Sequence, residues 1–476
     1  MSVRLSLFWS YLAQISGFVI TFGSTIVVAR LVSPRDFGIF AMATAVTTVI
    51  NVFMQFGLAK YLMREAEITR ELLRSLFTVN VLLSLFYVAA ILVGAVTAEH
   101  FVGSQDVGRF LYVFALFPLF AMMEFIPEAI CSRDGRFGVI SLLSIVRAIV
   151  IAVTTLFFAW NGYAFLSFAW AQVFAWAVTA TCFNVLVWRP DAWRLRFKGI
   201  REILHFGSQM IGIRGLAQLG TRGGEMALGS LLGLTSLGLY SRASSLPNTL
   251  FNNVFGAAGN VIYSRMSLEL RETGQFHQTY IRFMRLLLGI MWPMMFGLAV
   301  LSKPAINLLY GAKWQPAAEP LSFLALATAV TIALGLVPEV FILRHQTKQQ
   351  FGIETVRTIA GLSMFVLGAF VGLTAAAGAK LAEAVLALAL YRRPLNRMLE
   401  GPNHVLAKMY GESFGLGLIA ALPSLLLMIW TRFSASTSLI AIAGAVALGG
   451  LLWSTALWRL RHPLALEVIG LIKRRR

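Results

Sequence analysis

The chain is poor in the residues that soluble enzymes depend on. In 476 residues there are two cysteines and six histidines, and only 13% of the chain is charged. Cys131 and Cys182 stand singly at or inside apolar segments, which rules out a disulfide framework and a thiolate metal spacing. The histidines are scattered, and no His-Glu-x-x-His, P-loop or Asp-x-Asp pattern joins them to a partner. Long extramembrane loops are also lacking, so a polysaccharide polymerase or ligase has no room for its outer domain. The chain reads as a non-enzyme with no cofactor and no metal.

Acidic residues are scarce as well, 21 against 40 basic ones, for a net charge of +19. In a soluble protein that balance would suggest nucleic acid. Here the basic residues fall in short gaps between apolar runs. That is the pattern of cytoplasmic loops facing anionic lipid, so no nucleic-acid partner is expected.

What the chain has in abundance is apolar sequence. It is 58% hydrophobic, with a mean hydropathy of +0.76, and this requires apolar runs along most of its length. At about 20 residues per span, fourteen spans use roughly 280 residues and leave only short connections. The spans are placed near 5–32, 38–59, 75–97, 108–131, 139–160, 164–188, 204–233, 237–262, 281–302, 317–343, 352–373, 376–391, 411–430 and 437–458. The first is too long for a signal-peptide core and is read as an uncleaved span. The division between 352–373 and 376–391 is open. Alternate gaps divide the basic residues 28 to 7, which supports this span count and places both termini in the cytoplasm.

The sequence repeats itself. Phe37-Gly38-Ile39-Phe40 returns as Leu237-Gly238-Leu239-Tyr240, Phe56-Gly57 as Phe255-Gly256, and Leu62-Met63-Arg64 is echoed by Tyr263-Ser264-Arg265. Six spans per copy keep both copies in one orientation, a parallel repeat about an axis along the membrane normal. The expected fold is an all-α polytopic membrane protein of about fourteen transmembrane helices. An N-terminal lobe at 1–200 and a C-terminal lobe at 201–400 have six helices each, and 401–476 adds two helices and a basic tail. The inter-lobe stretch from Trp193 to Arg201 interleaves basic and apolar residues. It is either an interfacial segment on the inner leaflet or an ordinary basic loop.

Five arginines fall inside spans, where charge is expensive: Arg147, Arg214, Arg222, Arg242 and Arg357. In span 7, Arg214, Gln218, Arg222 and Glu225 are spaced by 4, 4 and 3 and share one helix face. Arg222 and Glu225 are one turn apart and suit a structural pair. Arg214 has no acid nearby on its stripe and is the better candidate for binding a phosphate. Arg147 is placed to snorkel to the cytoplasmic interface. Arg242 is placed either to snorkel outward or to hold a phosphate. Glu354 is one turn from Arg357 and pairs with it by default. Glu124, Glu128 and Glu339 are acids at helix depth that are candidates for ion pairing or coupling, and Glu383 is another acid at that depth.

Several segments resemble the polysaccharide transporter family, the Wzx-like flippases of the multidrug/oligosaccharidyl-lipid/polysaccharide superfamily. The first is Leu31-Val32-Ser33-Pro34-Arg35-Asp36-Phe37-Gly38-Ile39-Phe40-Ala41, with its Ser-Pro-x-x-Phe-Gly turn. Others are Phe56-Gly57-Leu58, the run from Leu232 to Ala243, and Leu309-Tyr310-Gly311-Ala312-Lys313-Trp314-Gln315-Pro316. These motifs are structural turns that identify a fold better than a substrate. The resemblance implies a transporter of the bacterial inner membrane that moves polyprenyl-pyrophosphate-linked oligosaccharides between leaflets by alternating access of two lobes. The implied partners are the lipid-linked oligosaccharide, anionic lipids, and the polymerase and other assembly proteins. A peptidoglycan-precursor flippase of the same superfamily is one alternative. A cation-coupled multidrug exporter is another, though it would favour an early aspartate inside the N-terminal spans, which contain none. A non-transporting membrane scaffold is a third.

Overall fold

In the computed structural model the backbone is described over 3–51, 58, 61–62, 69–187, 193–399 and 403–465. Side chains are described over the same ranges except 3–11, 99, 101–102, 205–219, 221, 254 and 256–261. Every regular element among these residues is helical. Large apolar side chains such as Val93, Phe157, Leu367 and Ile440 are more than half exposed along the helices. Water would not tolerate such continuous apolar surface; the hydrocarbon of a bilayer does.

Eleven helices are long and apolar enough to cross a membrane, against the fourteen spans expected. The other three are span 2 and spans 7 and 8. Span 2 begins with the helix Pro34–Asn51, and residues 52–57 lie outside the described set. Spans 7 and 8 are the two arms of one 74-residue helix, Ile200–Thr273, bent at Gly233. The charged and amide residues of its first arm dilute its hydropathy.

By internal packing the chain forms two compact units, Met1–Gly238 and Leu239–Arg476. The first contains α1 (Val3–Leu31), α2 (Pro34–Asn51), α3 (Arg70–Val102), α4 (Gln105–Phe114), α5 (Phe117–Arg133), α6 (Phe137–Trp160), α7 (Leu166–Leu186) and the first arm of α8 (Ile200–Thr273). Span 4 is thus broken in two, at 115–116. α1 lies along α6, α6 against α7, and α3 and α7 both pack on α5. A core of Leu62, Leu76, Val79, Ile130, Phe183 and Ile203 encloses Cys131, a small buried apolar group here.

The basic stretch after α7 is pinned to the start of α3. Arg196 pairs with Glu71 at 2.7 Å, and its backbone N–H donates to Thr78 Oγ1 at 2.7 Å. Ser75 Oγ donates to the Lys198 carbonyl at 2.8 Å, and Trp193 packs on Phe77. Leu195 and Phe197 remain exposed.

The start of α2 explains the Ser-Pro-x-x-Phe-Gly motif. Ser33 precedes the helix, and Pro34 takes its first position, where a missing N–H costs nothing. The Ser33 hydroxyl donates to Asp36 Oδ2 at 2.5 Å. The Ser33 N–H donates to the same oxygen at 3.1 Å, and the Asp36 N–H returns a bond to Ser33 Oγ at 3.3 Å. This is a capping box with aspartate in the usual glutamate position. Phe37 and Gly38 then turn into the interior. A Cβ on Gly38 would stand 1.7 Å from the Leu234 carbonyl oxygen, and one on Gly238 would stand 1.8 Å from that of Pro34. The backbones of the two repeated turns touch, as small residues allow between membrane helices.

The second unit continues with α9 (His277–Val300), α10 (Ser302–Tyr310), a 3₁₀ turn (Ala312–Ala317), α11 (Ala318–Ile332), α12 (Val337–Leu343), α13 (Thr347–Val371), α14 (Leu373–Leu399), α15 (Asn403–Trp430) and α16 (Leu439–Arg459). α13 and α14 divide at Gly372, whose φ of 148° suits a residue without a Cβ. α9 packs against α15 and α11, α11 against α14, and α16 against α15. Two indoles anchor these contacts: Trp292 donates to the Ala329 carbonyl at 2.7 Å and Trp453 to that of Gly289 at 3.0 Å.

Candidate functional site

The intramembrane charges fall into separate groups. In the first unit Glu124 of α5 is fully buried. It accepts from Arg147 of α6 and, at 2.6 Å, from the hydroxyl of Thr179 of α7. The Arg147 guanidinium lies 3.8 Å from the ring centroid of Trp176, and Thr179 Oγ1 accepts from it at 3.2 Å. The snorkelling expected for Arg147 does not occur. Its charge turns inward because an acid, a hydroxyl and an aromatic face await it on neighbouring helices. Glu128, one turn beyond Glu124, is half-buried on α5. This network ties three helices together, and removing either charge would strand the other in low dielectric.

On the first arm of α8, Arg222 Nη1 meets Glu225 Oε2 at 2.7 Å, one turn apart. The Arg214 and Gln218 side chains lie outside the described residues. Their backbone is helical, so the stripe of four positions is geometrically intact.

In the second unit Arg242 is buried, with its guanidinium 5.7 Å from the ring centroid of Tyr310. Tyr310 ends α10 and packs near Trp314, and both are buried. The Leu-Tyr-Gly-x-Lys-Trp motif is therefore an aromatic seat for this cation. Glu339 stands half-buried in the first turn of α12. A further group joins α13 to α14. Arg357 lies between Glu354 at 3.0 Å and Glu383 at 3.4 Å. Lys380 binds Glu383 at 2.8 Å, and the Tyr391 hydroxyl donates to Glu354 at 2.8 Å. Gly361 makes room for the Glu383 carboxylate, since a Cβ there would lie 2.6 Å from its carbon. Two acids and two bases cancel.

Sequence reading missed Thr179, Trp176, Tyr310 and Tyr391, because each meets its charge from another helix. An aromatic or hydroxyl on a predicted span carries no signal of its own until a charge is known to face it. Beyond the spans, His462 is buried beside Gly289. Burial first, and Arg285 second, push its pKa down to about 4, so it is neutral and hydrophobic in effect. Among the described residues no group of His, Cys, Asp and Glu has the makings of a metal site.

These groups are fixed, internally compensated charges buried among apolar helices. They join helices and add no open catalytic constellation. The chain's likeness to known proteins agrees with a membrane role. It is 23% identical to the succinoglycan biosynthesis transport protein ExoT of Rhizobium meliloti (strain 1021) over 326 residues, 68% of this chain and 65% of that protein. The solved structure of the lipid II flippase MurJ, in an inward closed conformation, superposes with a TM-score of 0.68 at 14% identity, covering 97% of this chain and 99% of that one. A Vibrio cholerae multidrug transporter of the MATE type, VcmN, gives 0.56 at 12% identity over 84% of this chain and 98% of its own. At these identities the structures speak for the fold alone. The profile of the family described as polysaccharide biosynthesis protein matches residues 27–319, more than half of the sequence. This chain, an all-α polytopic membrane protein, belongs to the polysaccharide biosynthesis protein family.

Proposed function

We propose that this protein carries polyprenyl-pyrophosphate-linked oligosaccharide units from the cytoplasmic to the outer leaflet of the bacterial inner membrane. Two lobes, 1–200 and 201–400, alternate access around the substrate head, and both termini face the cytoplasm. Family membership and the flippase-like fold support transport in place of catalysis. The observation that carries the substrate class is the excess of cation on the span 7 stripe. Arg222 is neutralised by Glu225, whereas Arg214 has no acidic residue within one turn in sequence. A guanidinium there supplies a bidentate site for a pyrophosphate, and the isoprenoid tail stays in lipid. Arg147 and Arg222, each paired with a carboxylate, position helices. Arg242, on its aromatic seat, is the second anion-binding candidate. An exporter of cationic drugs would need the opposite sign.

The test is complementation of a polymer-export mutant with wild type, Arg214→Ala and Arg222→Ala at matched membrane levels. Arg214→Ala is expected to cut export by about tenfold or more, since it removes a charge-assisted contact in low dielectric. Lipid-linked repeat units should then accumulate on the cytoplasmic side. Normal export by both variants would reject the anion-binding stripe. Rescue of a peptidoglycan-precursor flippase mutant, without rescue of polymer export, would move the substrate to that related pyrophosphate lipid.

A further inference from the structure

Three connections that are far apart in sequence meet at one place in the first unit. They are the turn before α2, the turn between α3 and α4, and the bend of α8. Together they line a cleft of about 430 Å³, with Arg35, Ser104, Asp106, Ser230 and Thr235 among its walls. That is the size of an ordinary small-molecule site. All three connections belong to the gaps poor in lysine and arginine, so the cleft opens on the outer face in the topology proposed above.

Its side chains are unusual for plain turns. Ser104 stands at the N-cap of α4 but gives no side-chain cap bond, although capping is the common use of serine there. The residue is only 9% exposed, and its hydroxyl has no hydrogen-bond partner. A buried hydroxyl without a partner is costly unless a ligand supplies one. Beside it, Asp106 is held by Arg35 at 3.0 Å and by Arg109 at 3.6 Å. Ser230 donates to the Met226 carbonyl at 2.9 Å, which leaves its oxygen free to accept. Gly103 and Gly233 have open space where a Cβ would stand, so the backbone is open to a ligand along two edges.

We infer that this cleft is a saccharide subsite on the outer face, taking the hydroxyl groups of a neutral sugar unit. Sugar hydroxyls both donate and accept, and the wall offers both: a fixed carboxylate and serine oxygens as acceptors, guanidinium and hydroxyl groups as donors. A divalent cation would find a single carboxylate guarded by two guanidinium groups. A phosphate would find both guanidinium groups already shared with that carboxylate. The inference rests on the transport of a glycan and places an outer contact for it, well away from the span 7 stripe in sequence.

The test titrates cellotetraose, a neutral tetrasaccharide, onto the full-length protein in lipid nanodiscs, read by calorimetry or ligand-observed NMR. Wild type is expected to bind saturably. Ser104→Ala and Asp106→Asn should each weaken binding about tenfold, the usual loss when one ligand hydrogen bond goes. Ser104→Ala removes a single oxygen, so it remains readable should Asp106→Asn fail to fold. Absence of saturable binding, or equal binding by wild type and Ser104→Ala, would overturn the subsite. So would displacement of cellotetraose by inorganic phosphate together with loss of phosphate binding in Arg35→Ala, which would mark an anion site. Because the readout is binding, it is separate from the export assay. Saturable cellotetraose binding with normal export by Arg214→Ala would keep the subsite and reject the stripe, and the reverse pair of results would do the opposite.

Discussion

The two turns related by the internal repeat reach one contact by different local chemistry. Before α2 the chain is stopped and restarted by a serine, a proline and an aspartate that close a capping box. Two hundred residues on, Gly233 stands in the place of Ser33 and Leu234 in that of Pro34. There a single residue at φ 80° and ψ 166° bends a continuous helix. What the copies share is the glycine five positions further on, Gly38 or Gly238, each pressed against the backbone of the other turn. Close approach of two backbones admits no substitute for a missing Cβ, whereas a helix can be interrupted in several ways. The repeat has kept the contact and let the interruption diverge.

The largest effect is expected at the contact. Gly38→Ala must part the two backbones, and it should cost roughly 3 kcal/mol, at the upper end for overpacking. Gly238→Ala should cost a similar amount. Denaturant unfolding in micelles measures both, and wild-type stability for either variant would show that the turns do not touch so closely. Next comes Gly233→Ala. Its backbone lies in a region open almost only to glycine, so about 1–3 kcal/mol of strain is expected. The smallest effect belongs to the first turn's cap, where Ser33→Ala should cost about 1 kcal/mol. Ser33→Gly should fall below that. If Ser33→Ala proved worse than Gly233→Ala, the capping box would be the stronger device of the two.

Much of this architecture could be read from the sequence where a feature is local. The apolar runs, the repeat, and the pairs Arg222–Glu225 and Arg357–Glu354 all lie within one helix, and helical spacing is enough to see them. The bond between Arg147 and Glu124 was not legible in that way, because it joins residues 23 apart on two helices. Nor was the break at 115–116, which has no glycine and has its proline only at Pro118. The outer cleft needs three connections to converge, and no single stretch of chain reveals that. For Arg214 and Gln218, spacing on the α8 backbone remains the argument.

The reciprocal glycine contact also bears on the order in which the protein is made. Gly38 enters the membrane early, but the surface that covers it is at Leu234 and Gly238. At roughly 5–20 residues per second, ribosomal synthesis reaches that second turn some 10–40 s later. Until then the start of α2 presents bare backbone to lipid or to the insertion machinery. The first compact unit ends at Gly238, so its last residue to be synthesised is also the one that closes its oldest turn.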